Sequence, residues 1–202
     1  MVLIGTGGLT KQILSSFPIR LKKKNKLRVF NDTYIFRNET SWHGIEVLHD
    51  IDQLYNQFKI NPDFICSIST KYDRVSLINQ FKSLGGIPTS YIAENSSVCT
   101  GEIGRGSIIL QNCIIESNTN LGEFVIINNG SIVSHDSTIG YNTEICPRVT
   151  LTGNVSIGEN CFIGTGAVIT PGVSVVSNCT IGASSLVLKD ISNPGKYFGV
   201  LS

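Results

Sequence analysis

The chain has 202 residues, 41% of them hydrophobic and 15% charged, with 16 Lys and Arg against 15 Asp and Glu for a formal charge of +1. That apolar content is enough to bury a core in one large domain or two small ones. A near-neutral balance supplies no electropositive field to hold DNA or RNA, and no apolar run approaches the roughly 20 residues of a membrane-spanning helix, so neither nucleic acid nor membrane is an expected partner.

The N-terminal MVLIGTGGLTK meets glycine after four residues. It is too short and too uncharged for a signal peptide, which points to a cytoplasmic protein. Six cysteines, at 66, 99, 113, 146, 161 and 179, form no Cys-x-x-Cys pair and have no histidine cluster nearby. Reduced thiols and no metal are expected.

In chain order, VLIG reads as a buried strand, GTGG as a glycine turn and KQILSSF as a first helix. A basic run comes next, Arg20, Lys22, Lys23, Lys24, Lys26 and Arg28, which is either solvated surface or phosphate contact. LRVFND is a second strand, NETSWHGIEVLHDIDQL a loop leading to a short helix in which His43 and His49 carry no chemistry, and DFICSIS a third strand. KYDRVSLINQFKSLG has apolar residues at helical spacing, and IPTSYIAENSSVCTGE joins the two domains, with Pro88 breaking the helix. Strands alternating with helices predict a small parallel α/β domain over residues 1–90. Its ligand would lie beyond the strand ends, with anionic groups over the glycine turn and the helix N-terminus. Gly5, Gly7 and Gly8 match a dinucleotide fingerprint in part, with Thr10 where a third glycine belongs. A mononucleotide or nucleotide sugar fits better; the alternative is a glycine turn that only permits tight packing.

From Ile103 every sixth residue through Val187 is Ile, Leu or Val, and Gly104, Gly122, Gly140 and Gly158 recur every eighteen, as do Gly164 and Gly182. Such periods predict a hexapeptide solenoid over residues 91–202, each hexad giving a short strand and a corner and each eighteen residues one triangular coil. The aliphatic residue points inward, and glycine is expected to supply corner conformations other residues resist. Residues two places after each aliphatic are largely polar or small and face out; His135 is among them. Residues two places before are small or β-branched, including Cys113, Cys161 and Cys179, which reads as core filler. Ile92 and Val98 begin an irregular first coil, because the register slips by one before Ile103.

The combination resembles the bacterial acetyltransferases that join a small nucleotide-sugar-binding α/β domain to a left-handed β-helix, which include sialic acid O-acetyltransferases and N-acetyltransferases of nucleotide-linked 4-amino-4,6-dideoxy sugars. The most specific stretch is IINNGSIVSHDSTIG. The resemblance implies His135 as general base, Asp136 as the acid that raises its basicity, and Asn128 as a substrate contact. It also implies Gly7, Gly8 and Leu9 under the nucleotide phosphates, Asn31 and Asp32 at the nucleoside, and Ser69 on the third strand. Gly153 matches a glycine whose amide faces the thioester carbonyl, and Thr165 and Ala183 match an acetyl-CoA groove. Glu144 stands where some members place a histidine toward that cofactor. A homotrimer, with grooves between neighbouring solenoids, is implied as well.

A histidine of ordinary pKa, about 6.5, can take the proton from an attacking amine at neutral pH. Gly153 lies eighteen residues after His135, hence at the equivalent point of the next coil, where its amide could meet the developing oxyanion. The activity that the resemblance implies is direct transfer from acetyl-CoA to the sugar 4-amino group. O-acetylation of sialic acid or another surface-glycan sugar is the alternative, and a noncatalytic nucleotide-sugar-binding scaffold the second.

Overall fold

Two units make up the protein in its computed structural model, Met1–Thr89 and Ser90–Ser202. The structure describes residues 1–17, 27–31, 40–69, 74–99 and 101–202; the basic run from Arg20 to Lys26 and Asp32 lie outside them.

In the first unit the apolar runs form a six-stranded sheet in the order β3-β4-β2-β1-β5-β6, where β1 is Val2–Ile4, β2 Arg28–Phe30, β3 Ser41–Trp42, β4 Ile45–Leu48, β5 Asp63–Cys66 and β6 Ile87–Pro88. All pairings are parallel except β3 with β4. Among the described residues the helices are α1 (Gly8–Ser16), α2 (Ile51–Ile60) and α3 (Arg74–Ser83). Three local readings of the sequence change here. IEVL, expected within a loop, is a strand, because Val47 and Leu48 are buried as β4 adds to β2. Ile87 and Pro88 extend the sheet rather than starting the linker; proline is tolerated on this edge strand. Gly85, not Pro88, ends α3: it takes φ +90°, its N–H bonds to Lys82 O and that of Gly86 to Phe81 O, a Schellman cap.

In the second unit every aliphatic of the hexad series from Ile109 to Val187 is buried, and Ile103 packs half-buried against them. Strands of two or three residues stack into three parallel sheets of seven, seven and four, the faces of a triangular β-helix. Partners are eighteen residues apart, as in Ile132 with Thr150 and Thr150 with Val168. The slip in the first coil is present: Ile92 pairs with Ile109 and Val98 with Ile115. The row two places before each aliphatic forms a second inward ladder, and its hydroxyls are satisfied internally. Thr143 Oγ1, for example, donates to Gly158 O at 2.8 Å and accepts from Cys161 N at 2.9 Å. Cys161 and Cys179 fill this row, and burial pushes both thiols up.

The recurring glycines act differently from expectation. Positive φ falls two residues later, at fourteen successive corners from Gly106 to Ser184, six of them asparagine and four glycine. Asparagine tolerates the left-handed region because its short polar side chain bonds locally. Gly122, Gly140 and Gly164 instead lie against the next coil. A Cβ there would sit 2.8 Å from Tyr141 N, 2.6 Å from Gly158 C and 2.5 Å from Ala183 N. These positions are glycine for close backbone approach, not for φ.

Candidate functional site

The first unit contains a cavity of about 480 Å³ at the C-terminal ends of β1, β2 and β5. Gly5, Thr6, Gly7, Gly8 and Leu9 form one wall; Phe30, Ile51, Leu77 and Phe81 are apolar walls; Asn31, Ser67, Ser69 and Gln80 are polar ones. Five of the residues implied for substrate binding, Gly7, Gly8, Leu9, Asn31 and Ser69, therefore line one cavity.

The turn is built by its own hydrogen bonds. Gly5 takes φ +102°, and Thr10, fully buried in the fingerprint's third-glycine position, donates from Oγ1 to Gly5 O at 2.8 Å and lies 2.8 Å from Ser67 Oγ. Asn31 Nδ2 donates to Thr6 Oγ1. Gly7 and Gly8 differ from Gly5. Gly7 has an extended backbone that any residue adopts (φ −77°, ψ −170°), Gly8 has no positive φ, and among the described residues a Cβ at either would meet nothing within 4 Å. Packing among the described residues gives no reason for glycine at these two positions. Gly7 caps α1 without a side-chain hydrogen bond, so among the described residues the backbone N–H groups of the first turn are left to meet an anionic group that comes close.

In the second unit His135 and Asp136 occupy one corner, between the face containing Ile132–Val133 and the face containing Thr138–Ile139. Asp136 is the left-handed corner residue, φ +60°. That backbone brings its carboxylate round to the preceding side chain: Oδ2 lies 2.8 Å from His135 Nδ1, and both side chains are more than half exposed. The hydrogen bond to Asp136 is the main cause of a His135 pKa above its ordinary value, with the charges of Asp136 and Glu116 adding to it. The same bond holds the Asp136 carboxyl below the usual carboxylate range. A carboxylate only accepts, so the neutral ring carries its proton on Nδ1 and leaves Nε2 as acceptor. Among the described residues Nε2 has no partner.

The coils on either side complete the setting. The imidazole lies over Gly153 of the next coil; a Cβ there would sit 2.7 Å from Cε1 and 2.8 Å from Nε2. Among the described residues the Gly153 N–H donates to no acceptor. From the preceding coil Glu116 Oε2 accepts the His135 backbone N–H at 3.0 Å, and Asn118 Nδ2 donates to Asp136 Oδ1 at 3.1 Å. Neither was singled out from the sequence; subtracting one eighteen-residue coil from Asp136 would have reached Asn118.

The other implied residues lie elsewhere on the β-helix. Thr165 and Ala183 are exposed at the opposite edge of the face that ends at His135, before Val168–Ile169 and Leu186–Val187. Asn128 and Glu144 belong to the third face and pair with each other. Asn128 Nδ2 donates to Glu144 Oε1 at 3.3 Å and to Ile145 O at 3.0 Å, and both side chains are buried. Within one chain the implied base and the implied cofactor groove occupy different edges.

Residues 154–189 match the family described as the hexapeptide repeat of succinyl-transferase. Among solved structures the chain is similar to PerB from Caulobacter crescentus, solved with CoA and GDP-perosamine, at 24% identity over 98% of this chain and 93% of that one, TM-score 0.85. It is similar to the acetyltransferase domain of PglB from Neisseria gonorrhoeae FA1090 at 25% identity over 98% and 95%, TM-score 0.85; that domain has also been solved with acetyl coenzyme A. WeeI from Acinetobacter baumannii AYE is similar at 20% identity over 94% and 92%, TM-score 0.60. No curated protein sequence matches the chain. The class that fold and comparisons define is a left-handed hexapeptide-repeat β-helix preceded by a small parallel α/β domain, the architecture of these acetyltransferases.

Proposed function

We propose that the protein is an acetyl-CoA-dependent N-acetyltransferase acting on the 4-amino group of a nucleotide-linked 4-amino-4,6-dideoxy sugar, with His135 as general base and direct transfer. The observation that carries this reading is the outward imidazole of His135, held through Nδ1 by Asp136 with Nε2 left over Gly153. The cavity at the glycine turn takes the nucleotide, its phosphates meeting Gly7, Gly8 and Leu9 and its nucleoside Asn31, with Ser69 of the third strand on the same lining. The neutral sugar amine attacks the thioester carbonyl carbon, and its proton passes to Nε2. The developing oxyanion is met by the Gly153 N–H. When the C–S bond breaks, the CoA thiolate leaves and takes the proton from the imidazolium, so free CoA and the acetamido sugar are the products.

Direct transfer is supported by the cysteines, five of which are buried, with burial pushing the thiols of Cys66, Cys113, Cys161 and Cys179 up and away from the reactive thiolate. The likeness to PerB supports the substrate class, as does the existence of alanine and asparagine variants of one histidine in GDP-perosamine N-acetyl transferase from Caulobacter crescentus, each solved with CoA and GDP-perosamine.

In this reading the enzyme is a cytoplasmic homotrimer. No described helix is long and apolar enough to cross a membrane. The face between the two edges carries a largely apolar outward row, Ile114, Ile132, Val168, Leu186 and Val200, interrupted by Thr150 between Ile132 and Val168, with Ile114 42% and Val200 68% exposed. The face at Asn120, Thr138, Ser156 and Ser174 is polar outward. A second copy on the apolar row would wall a groove for acetyl-CoA along Glu144, Thr165 and Ala183, with Asn128 contacting the sugar.

The test is release of free CoA thiol from acetyl-CoA with UDP-, dTDP- and GDP-linked 4-amino sugars and with free and CMP-linked sialic acid, for the wild type and His135→Ala. Turnover with one amino sugar, reduced ~10²–10⁴-fold in the variant, is the expected result. Turnover with sialic acid alone would move the protein to O-acetylation. Tight nucleotide-sugar binding without turnover would make it a scaffold.

A further inference from the structure

The corner that carries His135 is held from the preceding coil at three points. Glu116 Oε2 accepts the His135 N–H at 3.0 Å, Ser117 O accepts the Asp136 N–H at 3.1 Å, and Asn118 Nδ2 donates to Asp136 Oδ1 at 3.1 Å. The first two fix the backbone. The third acts on the side chain. Asp136 has one carboxylate oxygen on Asn118 and the other on His135 Nδ1, so rotation about its terminal torsion breaks both bonds at once.

We propose that Asn118 is a positioning residue for His135: by anchoring Oδ1 of Asp136 it holds Oδ2 against the imidazole, keeps the neutral ring in the Nδ1–H tautomer, and so keeps Nε2 as the proton acceptor. The proposal rests on the reading of His135 as the base, but the tautomer it predicts does not depend on turnover. The asparagine ladder of the β-helix makes the device available. Asn95 Nδ2 donates to Asn112 Oδ1 and Asn142 Nδ2 to Asn160 Oδ1, each at 3.0 Å between successive coils. At the His135 corner the accepting member of such a rung is an aspartate, whose second oxygen is charged and turned to the histidine. Among the described residues the titratable groups facing the ring are Asp136 beside it and Glu116 on the preceding coil; Gly153 and Asn154 on the next coil carry none.

Asn118 sits at φ +58°, so Asn118→Gly removes the amide while keeping a residue suited to that backbone. Asn112→Gly, at φ +57° on another edge, is the control for loss of a ladder rung alone. The measurement is the ¹⁵N shift of both ring nitrogens of His135 across pH in the 202-residue protein, assigned by the missing signal in His135→Ala. The wild type and Asn112→Gly are expected to show a neutral ring protonated on Nδ1. Asn118→Gly is expected to show a mixture with the Nε2–H form and, where turnover is measured, a kcat about tenfold lower at unchanged KM, a small part of the ~10²–10⁴ that base catalysis supplies. An Nδ1–H tautomer kept intact in Asn118→Gly overturns the proposal whatever the rate does. A wild-type tautomer that is already mixed overturns it too. Absence of turnover with every acceptor, alongside the expected shifts, would sink the enzymatic reading and leave the positioning role standing.

Discussion

Glycine does opposite jobs in the two units. In the β-helix Gly122, Gly140 and Gly164 touch the next coil so closely that a methyl group would strike its backbone, and Gly153 is covered by the imidazole of His135. In the α/β unit Gly7 and Gly8 have ordinary dihedrals and, among the described residues, open space where a side chain would go. The first set is explained by atoms of the chain itself. The second is explained by something that arrives. A glycine that neither conformation nor packing requires is therefore a pointer to a ligand, whereas one that packing does require points to stability or, at Gly153, to the placement of a reactive group.

Substituting each kind of glycine separates the two cases. Gly153→Ala should be the most damaging to the reaction: its Cβ would lie within 3 Å of Nε2, the ring must move, and kcat should fall about a hundredfold with the fold intact. Steady-state kinetics with circular dichroism checks it, and a wild-type rate would remove Gly153 from the site. Asp136→Asn tests the partner of that ring. Asparagine keeps the left-handed corner, as at six other corners, but ends the charge-assisted bond. Only the neutral imidazole accepts a proton, so activity is lost as pH falls through the raised pKa of His135. Without its main cause that limb should move to lower pH, toward about 6.5, while the plateau drops roughly tenfold, read from kcat/KM against pH.

Gly140→Ala should leave the chemistry alone and cost stability, about 1–3 kcal/mol from forcing two coils apart, measured by denaturant titration. Gly8→Ala should do the reverse. At a helical position with free space it should be neutral or stabilising by up to about 1 kcal/mol, yet weaken nucleotide-sugar binding by calorimetry. Loss of stability without loss of binding would turn Gly8 into a packing residue and dissolve the contrast.

The β-helix was legible because its period is short and enforced at every turn. An inward aliphatic every six residues leaves one architecture that buries them all, and the same count put His135 on the outside and Gly153 on the next coil. In the α/β unit β4 and β6 were missed for a matching reason. They are short additions whose pairing depends on β2 and β5, not on a pattern of their own. The role of the solenoid glycines was misread because composition shows where glycine recurs but not whether φ or a neighbour demands it; the fourteen left-handed corners two residues on belong more often to asparagine than to glycine.

The sequence by itself therefore determined the hexad register and the outward position of His135, since both derive from the local repeat, whereas the bond between His135 and Asp136 depends on the left-handed corner that turns the carboxylate back. Only the tertiary structure decided that Asn118 and Glu116 hold that pair, that Gly7 and Gly8 meet none of the described residues where a Cβ would go, and that Asn128 and Glu144 bond to each other on a different face. These depend on side-chain directions and on atoms one coil or one strand away, where an ångström separates a hydrogen bond from open space.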